Sequence, residues 1–327
     1  MSSDPLSVVV VIPCLNSGRT IEMQLIALLH QTYSSSYEVV VVDNGSDDDS
    51  VERISAVCQS YDNVRLIQAP GRLSASRARN IGVEHSSAPC ILFTDADDVV
   101  DSEWIARMTL SLEDFSMVGG FLEEERLNSK KTLRGIERRS TTELVVAHSL
   151  LPHAIGTNLG IRRDVLDSVG GWLEALPGAA GDDVELSWRV QLSGHSLGKA
   201  DKAIVHYRHR DSVVALIRQQ YIRGRNSATV CRAYRRILKD IKTDDIPEPQ
   251  RNRSNVQLIR IGLNASIRSV FDTGARIEMM SLIATAIGWS ASELRYRVFR
   301  DNSIESRVQE LWARFENEVG TVDKEPR

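Results

Sequence analysis

Ser7-Val8-Val9-Val10-Val11-Ile12-Pro13 is the stretch that decides the fold. It is apolar at successive positions, β-branched over five residues and closed by proline. A strand with one wet face alternates polar and apolar residues. An unbroken run of this kind is covered on both faces, as in the interior of a parallel sheet. Working outward, Ile21, Leu25, Leu28 and Leu29 recur at helical spacing, with Ser17 as the expected N-cap. A second strand is expected at 38–42, closed by Asp43-Asn44-Gly45. Val51, Ile54, Val57 and Cys58 then mark a helix, 64–67 a third strand, 74–83 a helix and 90–94 a fourth strand. Strands alternating with helices build βαβ units. The expected fold class is therefore α/β, a doubly wound, mostly parallel sheet flanked by helices.

Past residue 115 the pattern loosens. A strand is expected at 117–121, a helix at 142–151, a helix at 182–192 and a short strand at 203–206. One long helix is expected over 211–239. The segment 244–254, with Pro247 and Pro249, reads as a linker, and about three helices and a polar tail should follow it. The expected division is a catalytic domain at 1–240, with a nucleotide-binding half (1–115) and an acceptor-side half (116–240). A linker at 241–254 and a helical extension at 255–327 complete it.

Among the 327 residues 42% are hydrophobic and 26% charged, as in soluble globular proteins. A net charge of −4 gives no sign of nucleic-acid binding. Cys14, Cys58, Cys90 and Cys231 show neither a CxxC pair nor zinc spacing, so free thiols and a reducing compartment are expected. No basic region followed by an apolar stretch opens the chain, and no apolar run is long enough to span a bilayer. The expected location is the cytoplasm, with peripheral contact at the inner face of the membrane left open.

The chemistry concentrates after the fourth strand, in Ile91-Leu92-Phe93-Thr94-Asp95-Ala96-Asp97-Asp98. Asp95 and Asp97 stand at the carboxyl edge of the sheet, where open α/β sheets bind ligands. Paired carboxylates there suit Mn²⁺ or Mg²⁺ with substrate phosphates completing the shell. An acidic turn leading into the next helix explains them equally well in isolation. Asp43, ending the second strand, can accept hydrogen bonds from a nucleoside, or can serve only its Asn-Gly turn. Arg79 and Asn80 lie in Arg77-Ala78-Arg79-Asn80-Ile81-Gly82, where a guanidinium fork suits phosphate and helix arginines are ordinarily surface residues. A strand followed by Asp-x-Asp also resembles the nucleophile motif of haloacid-dehalogenase phosphatases. Here three strands precede it, and Gly181-Asp182-Asp183 follows a loop rather than a strand.

Taken in order, these segments resemble the family 2 glycosyltransferases, which have the GT-A fold. The resemblance runs from Val8 to about Arg225 and takes in Val8–Asn16, Glu38–Asp47, Arg79–Gly82 and Asp95-Ala96-Asp97. It continues through Gly156-Thr157-Asn158-Leu159-Gly160-Ile161, Gly170-Gly171-Trp172 and Asp182-Asp183-Val184-Glu185-Leu186-Ser187-Trp188-Arg189. It implies that Pro13, Asn16 and Asp43 line the nucleoside pocket, with Arg79 and Asn80 nearby. Asp95 and Asp97 would hold Mn²⁺ or Mg²⁺ on the donor pyrophosphate, joined by His206. Asp183 would be the base in an inverting displacement. Position 182 departs from the family, which usually has glutamate there.

From Arg208 to Lys239 nine residues are arginine or lysine and only Asp211 is acidic. A solvated face covers most of them. By resemblance, Arg223 and Arg225 in Gln220-Tyr221-Ile222-Arg223-Gly224-Arg225 would close over pyrophosphate, and more distal arginines would face anionic lipid headgroups or a lipid-linked acceptor. In 277–291 the apolar residues are read as packing against the catalytic domain, with an in-plane membrane helix as the alternative. The implied reaction is transfer of a sugar from a nucleotide-sugar donor, UDP-linked by preference, to a hydroxyl of a glycan, lipid-linked or small-molecule acceptor. The alternatives are a sugar-phosphate nucleotidyltransferase, which lacks its glycine-rich loop here, and a non-catalytic nucleotide-sugar-binding protein. A dinucleotide oxidoreductase is disfavoured, since no GxGxxG follows the first strand.

Overall fold

A computed structural model describes residues 7–130, 132–133, 143–146, 151–176, 180–210, 212–240, 273–299, 304, 306–311 and 313. Four parallel strands, β1 (Val8–Cys14), β2 (Tyr37–Asp43), β3 (Val64–Gln68) and β4 (Cys90–Phe93), form one half of an eight-stranded sheet. Helices α1 (Ile21–Leu29), α2 (Ser50–Ser60) and α3 (Ala75–Glu84) connect them. Every residue of β1 from Val8 to Ile12 is fully buried, as the unbroken apolar run requires.

The other half holds β5 (Val99–Val100), α4 (Trp104–Leu112), β6 (Met117–Glu123), β9 (Leu159–Arg162), α5 (Arg163–Ser168), α6 (Asp182–Leu192) and β10 (Leu197–His206). The spatial order is β3-β2-β1-β4-β9-β6-β10-β5. β9 is antiparallel to both β4 and β6, and β5 to β10; the remaining pairs are parallel. The order reverses between β1 and β4. The crevice at their carboxyl ends is thus the topological switch point where such sheets take ligands.

The structure corrects several expectations. α1 starts at Ile21 with Thr20 as N-cap; Ser17 serves through its backbone carbonyl, which accepts from the Thr20 and Ile21 N–H groups. β1 continues through Pro13, which pairs with Val42, to Cys14. In the segment 142–151 the described part is not helical: Val145–Val146 (β7) pairs antiparallel with Pro152–His153 (β8). β10 is ten residues long rather than four, and its register shifts between Lys199 and Ile204, where Lys202 takes a φ of 62°. Cys14, Cys58, Cys90 and Cys231 form no disulfide among the described residues.

The long helix α7 (Val213–Asp240) packs along α8 (Thr273–Phe299). The linker at 241–254 lies outside the described residues. α8 buries Ala284 and Ser292 but leaves Met280, Leu282, Ile283, Ile287, Leu294 and Val298 exposed, so the expected core packing holds for one face only. Among the described residues no helix is long and apolar enough to cross a membrane.

Candidate active site

The loop after β4 is built by a residue that sequence reading passed over. Gln24 is fully buried on α1, three residues after Ile21, on the face that otherwise carries Leu25 and Leu28. Its amide donates to Thr94 Oγ1 (2.9 Å) and the Asp95 carbonyl (3.1 Å) and accepts from the Val100 N–H (3.0 Å). One amide therefore staples both ends of the Asp95–Asp98 turn. A lone glutamine inside an apolar stripe was the available signal, since a buried amide needs partners.

Asp95, Asp97 and Asp98 present carboxylate oxygens within 4.8 Å of one another. Burial pushes the Asp98 carboxyl well above the usual carboxylate range, and the charges of Asp97 and Asp95 add to that. Burial also raises Asp97, against the lowering effect of Arg210. Asp98 is committed inward, accepting from Thr157 Oγ1 and from the Arg208 N–H (2.7 Å). Asp95 and Asp97 are left facing the cleft, each beside a guanidinium: Arg79 Nη2 lies 3.0 Å from Asp95, and Arg210 Nη1 lies 3.0 Å from Asp97. Three hard carboxylates gathered against their own repulsion fit a divalent cation with oxygen ligands, Mn²⁺ or Mg²⁺.

Two clefts meet at this turn. The larger, about 920 Å³, is lined by Pro13, Asn16, Asn44, Leu73, Asp95 and Asp97 among others. Asn16, at φ 54°, locks its rim: its backbone N–H donates to Ser46 Oγ and its Oδ1 accepts from the Asp47 N–H, both at 2.9 Å. Asn44 exchanges hydrogen bonds with the Leu73 backbone (2.7 and 2.8 Å), so the β2 loop and the entry to α3 form one wall. The smaller cleft, about 360 Å³, is lined by Gly156, Thr157, Asp183, Tyr207, Gln219 and Arg223 among others. Arg79, Asp95, Asp97 and Arg210 line both.

Asp183 is the second residue of α6, after Gly181, whose φ of 85° turns the chain into the helix. Its Oδ2 accepts from the Gly156 N–H (3.2 Å). A Cβ at position 156 would lie 3.3 Å from Arg79 Nη2 and 3.6 Å from Asp183 Cβ, so a larger residue would crowd both. Asp182, beside it, is buried. It accepts from Arg79 Nη1 (2.8 Å) and Ser76 Oγ (3.1 Å), and burial raises its carboxyl. Arg79 also lies over the Trp172 ring at 4.6 Å, and only 5% of it is exposed. It is a strut between α6 and the acidic turn rather than a free arm.

Four expected site residues make other contacts in this structure. Asp43 directs its carboxylate to the N–H groups of Gly45 and Ser46 (3.3 Å each), closing its own turn. Asn80 faces Trp172, donating to its carbonyl (3.0 Å) and accepting from its N–H (2.9 Å). Arg225 lines neither cleft; α7 brings its backbone against Gly288 of α8. His206 is outside the acidic cluster, between Arg126 and Glu123. Its Nε2 accepts from the Arg126 guanidinium (2.8 Å), and its Nδ1 donates to Glu123 (2.7 Å).

The model of the family described as "Glycosyl transferase family 2" matches residues 9–170. Glycosyltransferase AglE of Haloferax volcanii is 32% identical over 207 residues, covering 62% of this chain and 67% of that protein. The chain belongs to glycosyltransferase family 2. A poly-β-1,6-N-acetyl-D-glucosamine synthase of Staphylococcus aureus is 24% identical over 192 residues, 56% of this chain and 45% of the synthase. In fold, the chain is similar to the mannosyltransferase PcManGT of Pyrobaculum calidifontis, solved with GDP-Man and Mn²⁺. That match has a TM-score of 0.56 at 17% identity and covers 97% of this chain and 88% of the other. It is also similar to S. aureus TarS 1–349 in complex with UDP-GlcNAc, with a TM-score of 0.53 at 16% identity and coverage of 89% and 92%. The fold is thus GT-A. As a family 2 glycosyltransferase, the chain leaves aside the phosphatase, oxidoreductase and nucleotidyltransferase alternatives.

Proposed function

We propose that this family 2 glycosyltransferase moves a sugar from a nucleoside-diphosphate donor to an acceptor hydroxyl by a single inverting displacement. One observation carries the reading: two clefts share Asp95 and Asp97, and Asp183 lies in the smaller one. The larger cleft, with Pro13, Asn16 and the Asn44–Leu73 wall, would take the nucleoside. UDP is the preferred nucleotide, and GDP is the next to test. The smaller cleft would take the acceptor, a glycan, lipid-linked or small molecule, with Arg223 at its edge.

Asp95 and Asp97 would hold Mn²⁺ or Mg²⁺, which supplies Lewis-acid stabilisation of the departing diphosphate. Asp183 takes the proton from the acceptor oxygen as it attacks. The Gly156 N–H fixes the carboxylate for that role, and Arg79 keeps Asp182 neutralised beside it. With Asp183 as the base, direct displacement and inversion are what the resemblance to the family implies.

The test is a thermal-shift screen of UDP- and GDP-sugars with and without Mn²⁺ on the full chain. A shift for one nucleotide that appears only with Mn²⁺, and is lost in Asp97→Ala, is expected. Undiminished nucleotide binding in EDTA would remove the cation from the reading.

A further inference from the structure

Each of the two cleft-facing carboxylates is paired with an arginine, and the two arginines are held very differently. Arg79 is fixed by Asp182, Asp95 and the Trp172 ring. Arg210 lies between β10 and α7, its side chain 54% exposed, and among the described residues its one ion pair is with Asp97. We infer that Arg210 is a cation-gated ligand for the donor's diphosphate: it pairs with Asp97 when the acidic site holds no cation and turns to phosphoryl oxygens when it does. This deepens the proposed function and rests on it.

The geometry around Arg210 allows that turn without moving the chain. Two residues earlier, the Arg208 N–H is bound to Asp98 (2.7 Å) and the Arg208 Nε–H to the Asp97 carbonyl (2.9 Å). The backbone leading to Arg210 is thus pinned to the acidic turn while the Arg210 side chain lies at the mouth shared by both clefts. With its arginine half exposed the pair is weakened, because water screens it from that side and ordering the long side chain costs entropy. A divalent cation with several carboxylates outcompetes it for Asp97. The released guanidinium then has its planar fork of donors free, beside the place where a diphosphate would bridge to the ion. Arg79 cannot make this exchange, since leaving Asp95 would not free it from Asp182. The consequence is coupling between cation and nucleotide, reciprocal by thermodynamic necessity.

The experiment measures Mn²⁺ binding to the full chain by electron paramagnetic resonance, with and without UDP, and UDP binding by calorimetry, with and without Mn²⁺. GDP is run alongside. Wild type should bind each ligand more tightly in the presence of the other. Arg210→Ala should bind Mn²⁺ alone more tightly, by about threefold, because the competing guanidinium is gone. It should bind UDP in saturating Mn²⁺ about tenfold to a hundredfold more weakly, having lost a charge-assisted contact. Arg210→Lys should fall between the two and guards against a loss of folding in the alanine variant. Coupling in Arg210→Ala equal to wild type overturns this inference alone. A wild type that binds UDP and GDP equally with and without Mn²⁺ overturns both the inference and the reading beneath it.

Discussion

At the scale of single residues, the site depends on charges that are useful because they are immobile. Arg79 is the clearest case. Its two terminal nitrogens reach Asp182 and Asp95, residues far apart in sequence, and bring α6 to the turn after β4. Arg79→Met keeps much of the volume but leaves the buried Asp182 without its cation. Removing one partner from a buried pair costs about 3–5 kcal/mol. Urea denaturation should show a loss of that size, and a loss below about 1 kcal/mol would mean the strut carries no load. Asp183→Asn is the complementary change. The carboxylate accepts from the Gly156 N–H through Oδ2 and from the Val184 N–H through Oδ1; the amide oxygen of asparagine can keep one of these bonds at nearly unchanged volume, while the base is lost. Transfer should fall about 10²–10⁴-fold, the usual contribution of a positioned base, with Mn²⁺-dependent nucleotide binding retained. Equal transfer rates in the two proteins would remove Asp183 from the mechanism.

Among the elements, α6 shows where sequence reading reaches its limit. Asp182, Glu185 and Arg189 recur at the spacing of a helix's inner face, yet their charges suggest an outer one. All three are buried. Arg189 grips Glu185 through Nε (2.9 Å) and Nη2 (2.8 Å) and donates to the Val169 and Gly171 carbonyls, while the Tyr234 hydroxyl also donates to Glu185 (2.8 Å). Arg189→Met should therefore destabilise the fold by about 3–5 kcal/mol, because Glu185 stays buried and unpaired. Glu185→Leu combined with Arg189→Met should recover at least half of that in the same urea titration. If the two changes simply add, the pair is not the unit that matters. The parallel half of the sheet was legible because runs such as Val8–Ile12 can only be central strands. β9 was not, since it is four residues long and interrupted by Gly160, and its role comes from pairing with β4 and β6, which lie far away in sequence. β10 hid behind Lys199, Asp201 and Lys202, where the register shifts. The Asp95–Asp97 turn was legible in place and chemistry. That Arg79 is a strut, that Asn80 binds Trp172 and that His206 is engaged on both nitrogens depended on partners which no local pattern names.

At the scale of the whole molecule, the helix that carries Asp183, the proposed base, is supported from late in the chain. α7 reaches the catalytic region at two points: Asn226 donates to the Ala180 carbonyl (2.8 Å) just before α6, and Tyr234 holds Glu185 within it. α8 in turn braces α7. Thr229 and Ser292 share a buried hydrogen bond (2.9 Å), and Arg232 pairs with Glu293 (2.7 Å) and lies over the Tyr296 ring. Between these contacts the two helices approach backbone to backbone. A Cβ on Gly224 would stand 2.0 Å from the Thr285 carbonyl oxygen, and one on Gly288 would stand 2.1 Å from that of Tyr221. Neither obstacle is a side chain that can swing aside, so Gly224→Val must push the helices apart. Overpacking of that kind costs about 1–3 kcal/mol. Amide hydrogen exchange in α8 should accelerate, and the effect should pass through Asn226 and Tyr234 to α6, lowering kcat more than nucleotide affinity. Ser290→Val, at an exposed position of α8, is the control and should change neither. If Gly224→Val left α8 exchange at its wild-type rate while the glycine's neighbours stayed in place, the brace would not exist, and the C-terminal helix would have no part in holding Asp183.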